Sequence, residues 1–256
     1  MKFLSEPSLQ GKNVGSPQFF FAQAELIHKR PLLKYCYDIW YRLLLDDRAV
    51  QSAPANSIFL ELGSGGSLLK EYEPRVLTSD VTPNIAERVI DARVLPFPDG
   101  SVSAIFMTHV FHHIPDVTAF LSEADRVLRP GGIVAIIDVA ATPFARFFFS
   151  NFHHEPFLPK MGDWKFSQTD SMMDSNQALT WMVFKRDIEL YREKFPTLRL
   201  EKISYLPWLP YLLSGGVTKR NIVPGFAIAP IIAMDRFSKF LLPMCSLHWF
   251  IRLRKA

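Results

Sequence analysis

With 256 residues, the chain is long enough for one large α/β domain with additions and for a sizeable core. A hydrophobic content of 48%, with 22 Phe and 5 Trp, excludes a disordered protein. The formal charge of +4 is spread along the chain apart from Arg252, Arg254 and Lys255, so the basic stripe that would point to nucleic acid is missing. Cys36 and Cys245 stand far apart in apolar sequence and make neither a metal cluster nor a disulfide framework, which fits a reducing compartment. Residues 1–6 do not read as a secretory leader. The longest apolar run, 222–234, ends at Asp235 after 13 residues, too short to span a bilayer.

Residues 1–22, with Pro7, Gly11, Gly15 and Pro17, read as an irregular lead-in. From there to Asp47, Leu32, Leu33, Cys36, Ile39, Trp40, Leu43 and Leu44 recur at helical spacing and predict an amphipathic helix, with Pro31 acceptable in a first turn. Residues 51–56 link it to the stretch around which the chain is organised, Ile58-Phe59-Leu60-Glu61-Leu62-Gly63-Ser64-Gly65-Gly66-Ser67. An apolar run closes on an acid and then on small residues, the pattern of a buried strand ending in a tight loop. The loop is either an ordinary turn or one whose glycines let a ligand approach the backbone.

A short helix at 68–73 precedes a second strand, 75–80, ending in Asp80, 17 residues beyond Gly63. In nucleotide-binding βαβ units an acid at about that distance reaches the ribose hydroxyls; otherwise Asp80 caps the turn at 82–84. A third strand, 88–91, ends in Asp91. The fourth, 104–107, leads into Thr108-His109-Val110-Phe111-His112-His113-Ile114-Pro115. Asp116 caps a helix whose face is Val117, Phe120, Leu121, Ala124, Val127 and Leu128; Pro130-Gly131-Gly132 stops it, and a fifth strand, 133–137, leads to Asp138. Four strands ending in acids, alternating with helices or loops, predict a doubly wound, mostly parallel sheet with its ligand at the carboxyl ends.

These residues resemble the class I S-adenosylmethionine-dependent methyltransferases. The resemblance rests on Glu61-Leu62-Gly63-Ser64-Gly65, Asp80, Asp91-Ala92 with the turn at 95–101, and the run from Glu123 to Gly132. It implies a Rossmann-like fold with seven strands, the last antiparallel, an N-terminal helical extension at 1–56 and a methyltransferase domain at 57–256. Within that domain, 57–138 would bind the cofactor and 139–256 would face the substrate. The cofactor would be S-adenosylmethionine, held by Glu61, Gly63, Ser64, Gly65, Asp80, Val81, Asp91, Ala92, Thr108 and His109. Glu61 would meet the ammonium, Asp80 the ribose hydroxyls and Asp91 the adenine amino group. An acid before the glycines suits a cationic ligand, whereas a pyrophosphate prefers a bare helix N-terminus. The rival enzyme, a nicotinamide oxidoreductase, lacks its Gly-x-Gly-x-x-Gly; a non-catalytic, cofactor-binding or membrane-associated scaffold is the other alternative. Three departures stand out: Ser67 where a third glycine is frequent, only ten residues between Asp80 and Asp91, and Ser103 in place of an acid.

The resemblance places His109 near the transferable methyl, as a general base or as a packing residue. Asp138 is a second candidate base, or it holds a helix N-terminus. His153, in His153-His154-Glu155, is a third, within an aromatic lid; adjacent histidines alone make a poor metal signal. His113 reads as a loop residue, and no role is read at His112. A helix at 176–194 and a sixth strand at 198–205 follow. The last strand is expected at 246–252. Between them lies an apolar insert with a loop at 207–216 and a helix at 226–242 interrupted by Pro230. It either covers the sheet or grips an apolar substrate or a membrane, so 206–244 is a candidate for peripheral membrane contact. The expected protein is a cytoplasmic methyltransferase, possible also at the inner face of the membrane, acting on the oxygen of a small-molecule, glycan or lipid-linked acceptor.

Overall fold

The computed structural model describes residues 5–153, 155–167 and 174–256. Seven strands form one sheet: β1 Ile58–Leu62, β2 Val76–Asp80, β3 Arg88–Val89, β4 Val102–Thr108, β5 Leu128–Val139, β6 Leu198–Tyr205 and β7 His248–Lys255. Their order is β3-β2-β1-β4-β5-β7-β6, parallel throughout except for β7, which runs antiparallel to both neighbours. This is the doubly wound sheet expected. Alternation along each strand serves two faces, as a sheet covered on both sides requires. Leu60, Leu62, Ile105, Met107, Val134 and Ile136 pack on one side; Phe59, Ala104, Phe106, Ile133, Ala135 and Ile137 pack on the other.

Two helices, α1 Pro17–Lys29 and α2 Pro31–Leu45, replace the single helix expected at the N-terminus. The first begins earlier than the glycines and prolines suggested, because Ser16 accepts the Phe19 N–H at 3.3 Å and Pro17 stands in the first turn. The break follows from Pro31, whose ring keeps Arg30 extended. Leu33, Cys36, Trp40, Tyr41 and Leu44 of α2 bury themselves on the second face of the sheet. Short helices α3 Arg48–Gln51 and α4 Leu69–Tyr72 flank β1.

On the first face lie α5 Val117–Val127, capped by Asp116 as expected, α7 Leu179–Trp181, a π turn Met182–Arg186 and α8 Ile188–Lys194, while α6 Pro143–Phe152 packs in a separate small cluster with Val139 and Leu247. The helix expected at 176–194 is therefore divided. Pro130-Gly131-Gly132 closes α5 but belongs to β5: Leu128 pairs with Val102, and a register shift separates this pair from Ile133 with Ala104. β7 extends to Lys255.

In the insert, residues expected as a loop form α9 Leu209–Ser214, ended by Gly215 at φ 75°. α10 Ile228–Phe237 carries Pro230 in its first turn, where proline is tolerated, so the helix is not interrupted there; it gives way to a 3-10 turn at Ser238–Leu241 and α11 Leu242–Cys245. Among the described residues no helix is long and apolar enough to cross a membrane.

The N-terminal helices and the insert are joined by Arg30, whose buried guanidinium donates to the carbonyls of Gly216 at 2.8 Å and Lys219 at 2.6 Å and pairs with Glu6. Removing the cation strands a largely buried carboxylate and two carbonyls. Arg30→Met should therefore cost about 3–5 kcal/mol of stability, read from urea unfolding; a loss under about 1 kcal/mol would mean that the joint contributes little.

Candidate functional site

Parallel pairing sets Glu61 beside Thr78 and Phe106, Asp80 beside Val89, and Thr108 beside Ile137, so the polar ends of β1, β2, β4 and β5 meet at one sheet edge. Two groups of residues collect there.

The first surrounds the loop after β1. Ser64 N–H donates to the Ser79 carbonyl at 2.8 Å, the Ser64 hydroxyl accepts the Ser79 N–H, and Asp80 accepts the Gly65 N–H at 3.0 Å and the Thr82 N–H at 2.9 Å. Asp80 thus both pins the loop and caps its own turn. Ser67, unremarked in sequence except as a missing glycine, donates to Glu61 Oε1 at 2.6 Å and accepts the Leu69 N–H, while Tyr41 of α2 lies 3.1 Å from the same hydroxyl. Glu61 is buried, and its Oε2 has no hydrogen-bond partner. Burial pushes this carboxyl up to about 7, against the easing effect of the nearby serine hydroxyls.

Gly63 and Gly65 have φ of 63° and 46°. A Cβ on Gly63 would lie 2.5 Å from Val110, and one on Gly65 3.0 Å from the Phe20 ring of α1, so protein fills the space beside each glycine. From Gly63 a cleft of about 200 Å³ opens, lined by Leu62, Val81, Asp91, Ala92, His113 and Ile114 among others. Asp91 lines it with both oxygens engaged by Arg93, so accepting from any ligand means displacing that arginine. His113, read as a plain loop residue, is part of this wall.

The second group lies at the ends of β4 and β5. His109 occupies the left-handed region at φ 58°, held by its N–H donating to the Ile137 carbonyl at 2.8 Å. Its ring meets Trp40 at 5.2 Å, His248 at 4.6 Å and Tyr211 at 6.3 Å. Burial lowers it to about 4, so it is neutral, with Nε2 buried and unbonded. The Thr108 hydroxyl is also buried without a partner. His248, on β7, is held well below the usual histidine range by burial.

Asp138, expected as a base, is fully buried. Its Oδ1 lies 2.6 Å from His112 Nδ1 and accepts the Val139 N–H, and its Oδ2 accepts the His112 N–H. Both of its oxygens are thus engaged within the protein, by His112 and by the Val139 N–H. The opposite ring nitrogen of His112 lies 3.2 Å from Glu155, which also accepts from Gln177 and Ser175. Burial would lower His112, but the two carboxylates overcome it and raise the imidazole to about 10, while His112 holds Asp138 below the usual carboxylate range. His153 ends α6, half-buried, with Nδ1 accepting the Glu155 N–H at 3.3 Å and its ring 5.4 Å from Phe149. His154 of the expected lid lies outside the described residues, as do residues 168–173. His112, Glu155 and His248 were missed because their partners are distant in sequence.

Residues 60–136 match the family model described as a methyltransferase domain. The chain is 30% identical over 96 residues to 27-O-demethylrifamycin SV methyltransferase of Amycolatopsis mediterranei, covering 37% of this chain and 35% of the relative. It is 31% identical over 135 residues to demethylmenaquinone methyltransferase of Thermus thermophilus, covering 45% of this chain and 61% of the relative. The chain thus spans less than two thirds of the length of either. Its fold is shared by geranyl diphosphate C-methyltransferase of Streptomyces coelicolor, with a TM-score of 0.53 at 18% identity over 98% of this chain and 88% of that one. Over residues 60–136 the chain is thus similar to methyltransferase domains, and the class that its sequence resembles uses S-adenosylmethionine. The site fits that cofactor, since the unbonded buried oxygen of Glu61 suits an ammonium and the cleft beside Val81 and Ala92 suits an aromatic base.

A carboxyl raised in the folded state stays protonated where the unfolded chain already ionises. Stability of the ligand-free protein should therefore fall as pH rises from about 4.5 towards 7, and Glu61→Gln should flatten that part of the profile of melting temperature against pH. An unchanged slope in the variant would contradict the assignment.

Proposed function

We propose that the chain methylates the oxygen of an apolar small molecule bearing an acidic hydroxyl, such as a phenol or hydroquinone, with S-adenosylmethionine as donor. The observation that carries the cofactor half is Glu61, a buried carboxyl with one unbonded oxygen beneath the glycine loop. A cationic ligand compensates such a group, whereas a pyrophosphate would be repelled. On this reading Gly63, Ser64 and Gly65 shape the floor, Asp80 meets the ribose hydroxyls, and Val81, Asp91 and Ala92 border the base. Bound there, the cofactor supplies a methyl group on a positively charged sulfur, open to in-line displacement.

The acceptor half rests on His109 and its surroundings. Thr108 and His109 stand at the strand end where the two residue groups meet, and Trp40, Tyr211 and His248 give His109 an aromatic wall suited to a flat, apolar molecule. Lowered to about 4, His109 is a weak base. A proton acceptor this weak assists a phenol, whose pKa is about 10, far better than an aliphatic alcohol. The two curated relatives are named for demethylmenaquinone and for the 27-O position of demethylrifamycin SV, which supports an acceptor of this kind without choosing between carbon and oxygen. A glycan, lacking an acidic hydroxyl, fits the aromatic wall less well; a lipid-linked phenol fits equally. His153, across the ring of Phe149 from His248, would border the acceptor from the α6 side.

Calorimetry should show S-adenosylmethionine binding that Glu61→Gln weakens roughly 100-fold, the scale of an ammonium losing a buried partner. With a panel of phenols and hydroquinones as acceptors, His109→Ala should lower kcat about 100-fold or more while leaving cofactor affinity nearly unchanged. Absence of cofactor binding in the wild type would overturn the whole reading. Binding without methyl transfer to any acceptor would return the chain to the scaffold alternative.

A further inference from the structure

The insert between β6 and β7 presents an apolar surface to solvent. Phe226, Phe237 and Phe240 are 85%, 84% and 79% exposed, with Ile222, Met234 and Met244 exposed beside them in sequence. Side chains of this size have little reason to stand in water one after another on three short helical segments. The charges over 206–244 are of one sign where they are exposed: Lys219, Arg220, Arg236 and Lys239. The one acid in that segment, Asp235, is buried, its carboxylate accepting the N–H groups of Trp208 at 3.2 Å and Leu209 at 3.1 Å. α11 packs on α6, which carries two further exposed phenylalanines, Phe147 and Phe152.

We propose that this face docks on an anionic lipid bilayer, the phenylalanines entering the headgroup boundary and the cations lying against the lipid phosphates. Charge complementarity selects the occupant. A protein partner of mixed charge would bring both signs against a surface whose exposed charges are all positive, whereas an anionic bilayer meets a one-signed set together. The helices are too short to insert across it, so the chain lies on the surface. The face also adjoins the candidate acceptor region. Asp235 of α10 caps the start of α9, and Tyr211 of α9 stands 4.4 Å from His248 and 6.3 Å from His109. Docking thus brings the aromatic wall close to the apolar phase from which an apolar acceptor would be drawn. The docking itself rests on exposure and charge, and does not require methyl transfer.

The test is flotation of the full chain with vesicles of phosphatidylcholine alone and with about 30% phosphatidylglycerol. The wild type should float with the anionic vesicles, lose binding at high salt, and remain unbound with phosphatidylcholine. Combined Phe226→Ser, Phe237→Ser and Phe240→Ser should lower the bound fraction about ten-fold, and so should Arg236→Glu with Lys239→Glu. Retained cofactor affinity by calorimetry reports that each variant is folded, and the charge reversal alone decides the matter if the serine variant is not. A wild type that fails to float, or variants that float equally, would overturn the proposal. So would a wild type that sediments as a dimer while the serine variant is a monomer, because the face would then belong to a second copy of this chain. A wild type that binds the cofactor but does not float fails the docking alone, and a wild type that floats but does not bind the cofactor fails the functional reading alone.

Discussion

Glu61 is the penultimate residue of β1, and its carboxyl is held out of water by both neighbouring strands and by the loop above. That placement is unfavourable for a charge, and what surrounds it answers the problem only in part. Ser67 bonds one oxygen, Tyr41 steadies Ser67, and so α2, an element outside the sheet, is drawn into the loop's geometry. Ser64 and Asp80 lock the same loop to β2. The second oxygen is left over, and a site with one buried, unmatched acceptor is organised for a positive group to arrive.

The other end of the edge solves a similar problem without a ligand. His112 lies between Asp138 and Glu155, so a buried cation meets two buried anions and each carboxylate gains further donors. Being satisfied, this chain of groups serves as a fastener. It ties the segment after α6 to the ends of β4 and β5, together with the Asn176 N–H bonded to the His112 carbonyl at 2.9 Å. His109, the first residue after β4, is by contrast left neutral and unmatched. Two histidines three residues apart thus take opposite charge states, burial keeping His109 neutral and two carboxylates charging His112.

The sheet was legible because its signals are local. Apolar runs closing on Glu61, Asp80 and Asp138 mark strand ends, Asp116 marks a helix start, and the spacing of the blocks orders the strands. The divided helices were less legible, since neither the extended Arg30 before Pro31 nor the π turn at 182–186 disturbs the apolar spacing on which a helix is read. The polar chain from Asp138 to Glu155 was not legible at all. Its members lie up to 43 residues apart, between His112 and Glu155, and only folding brings them to 3.2 Å. Asp138 was legible as important but not in its role, because a carboxylate ending a strand looks the same in sequence whether it faces a substrate or a histidine.

The loop after β1 shows how far a glycine pattern can be trusted. At Gly63 and Gly65 the backbone lies where side chains are strained, and the space a side chain would take belongs to Val110 and Phe20. Each glycine is therefore demanded twice by the fold before any small molecule is considered. A descendant of this chain that had lost its chemistry entirely would still be obliged to keep them. The residue free to drift in such a descendant is Glu61, whose burial without a full set of partners is a liability to folding and an asset only to binding; in sequences of this architecture, the acid before the glycines is the better witness to a working site.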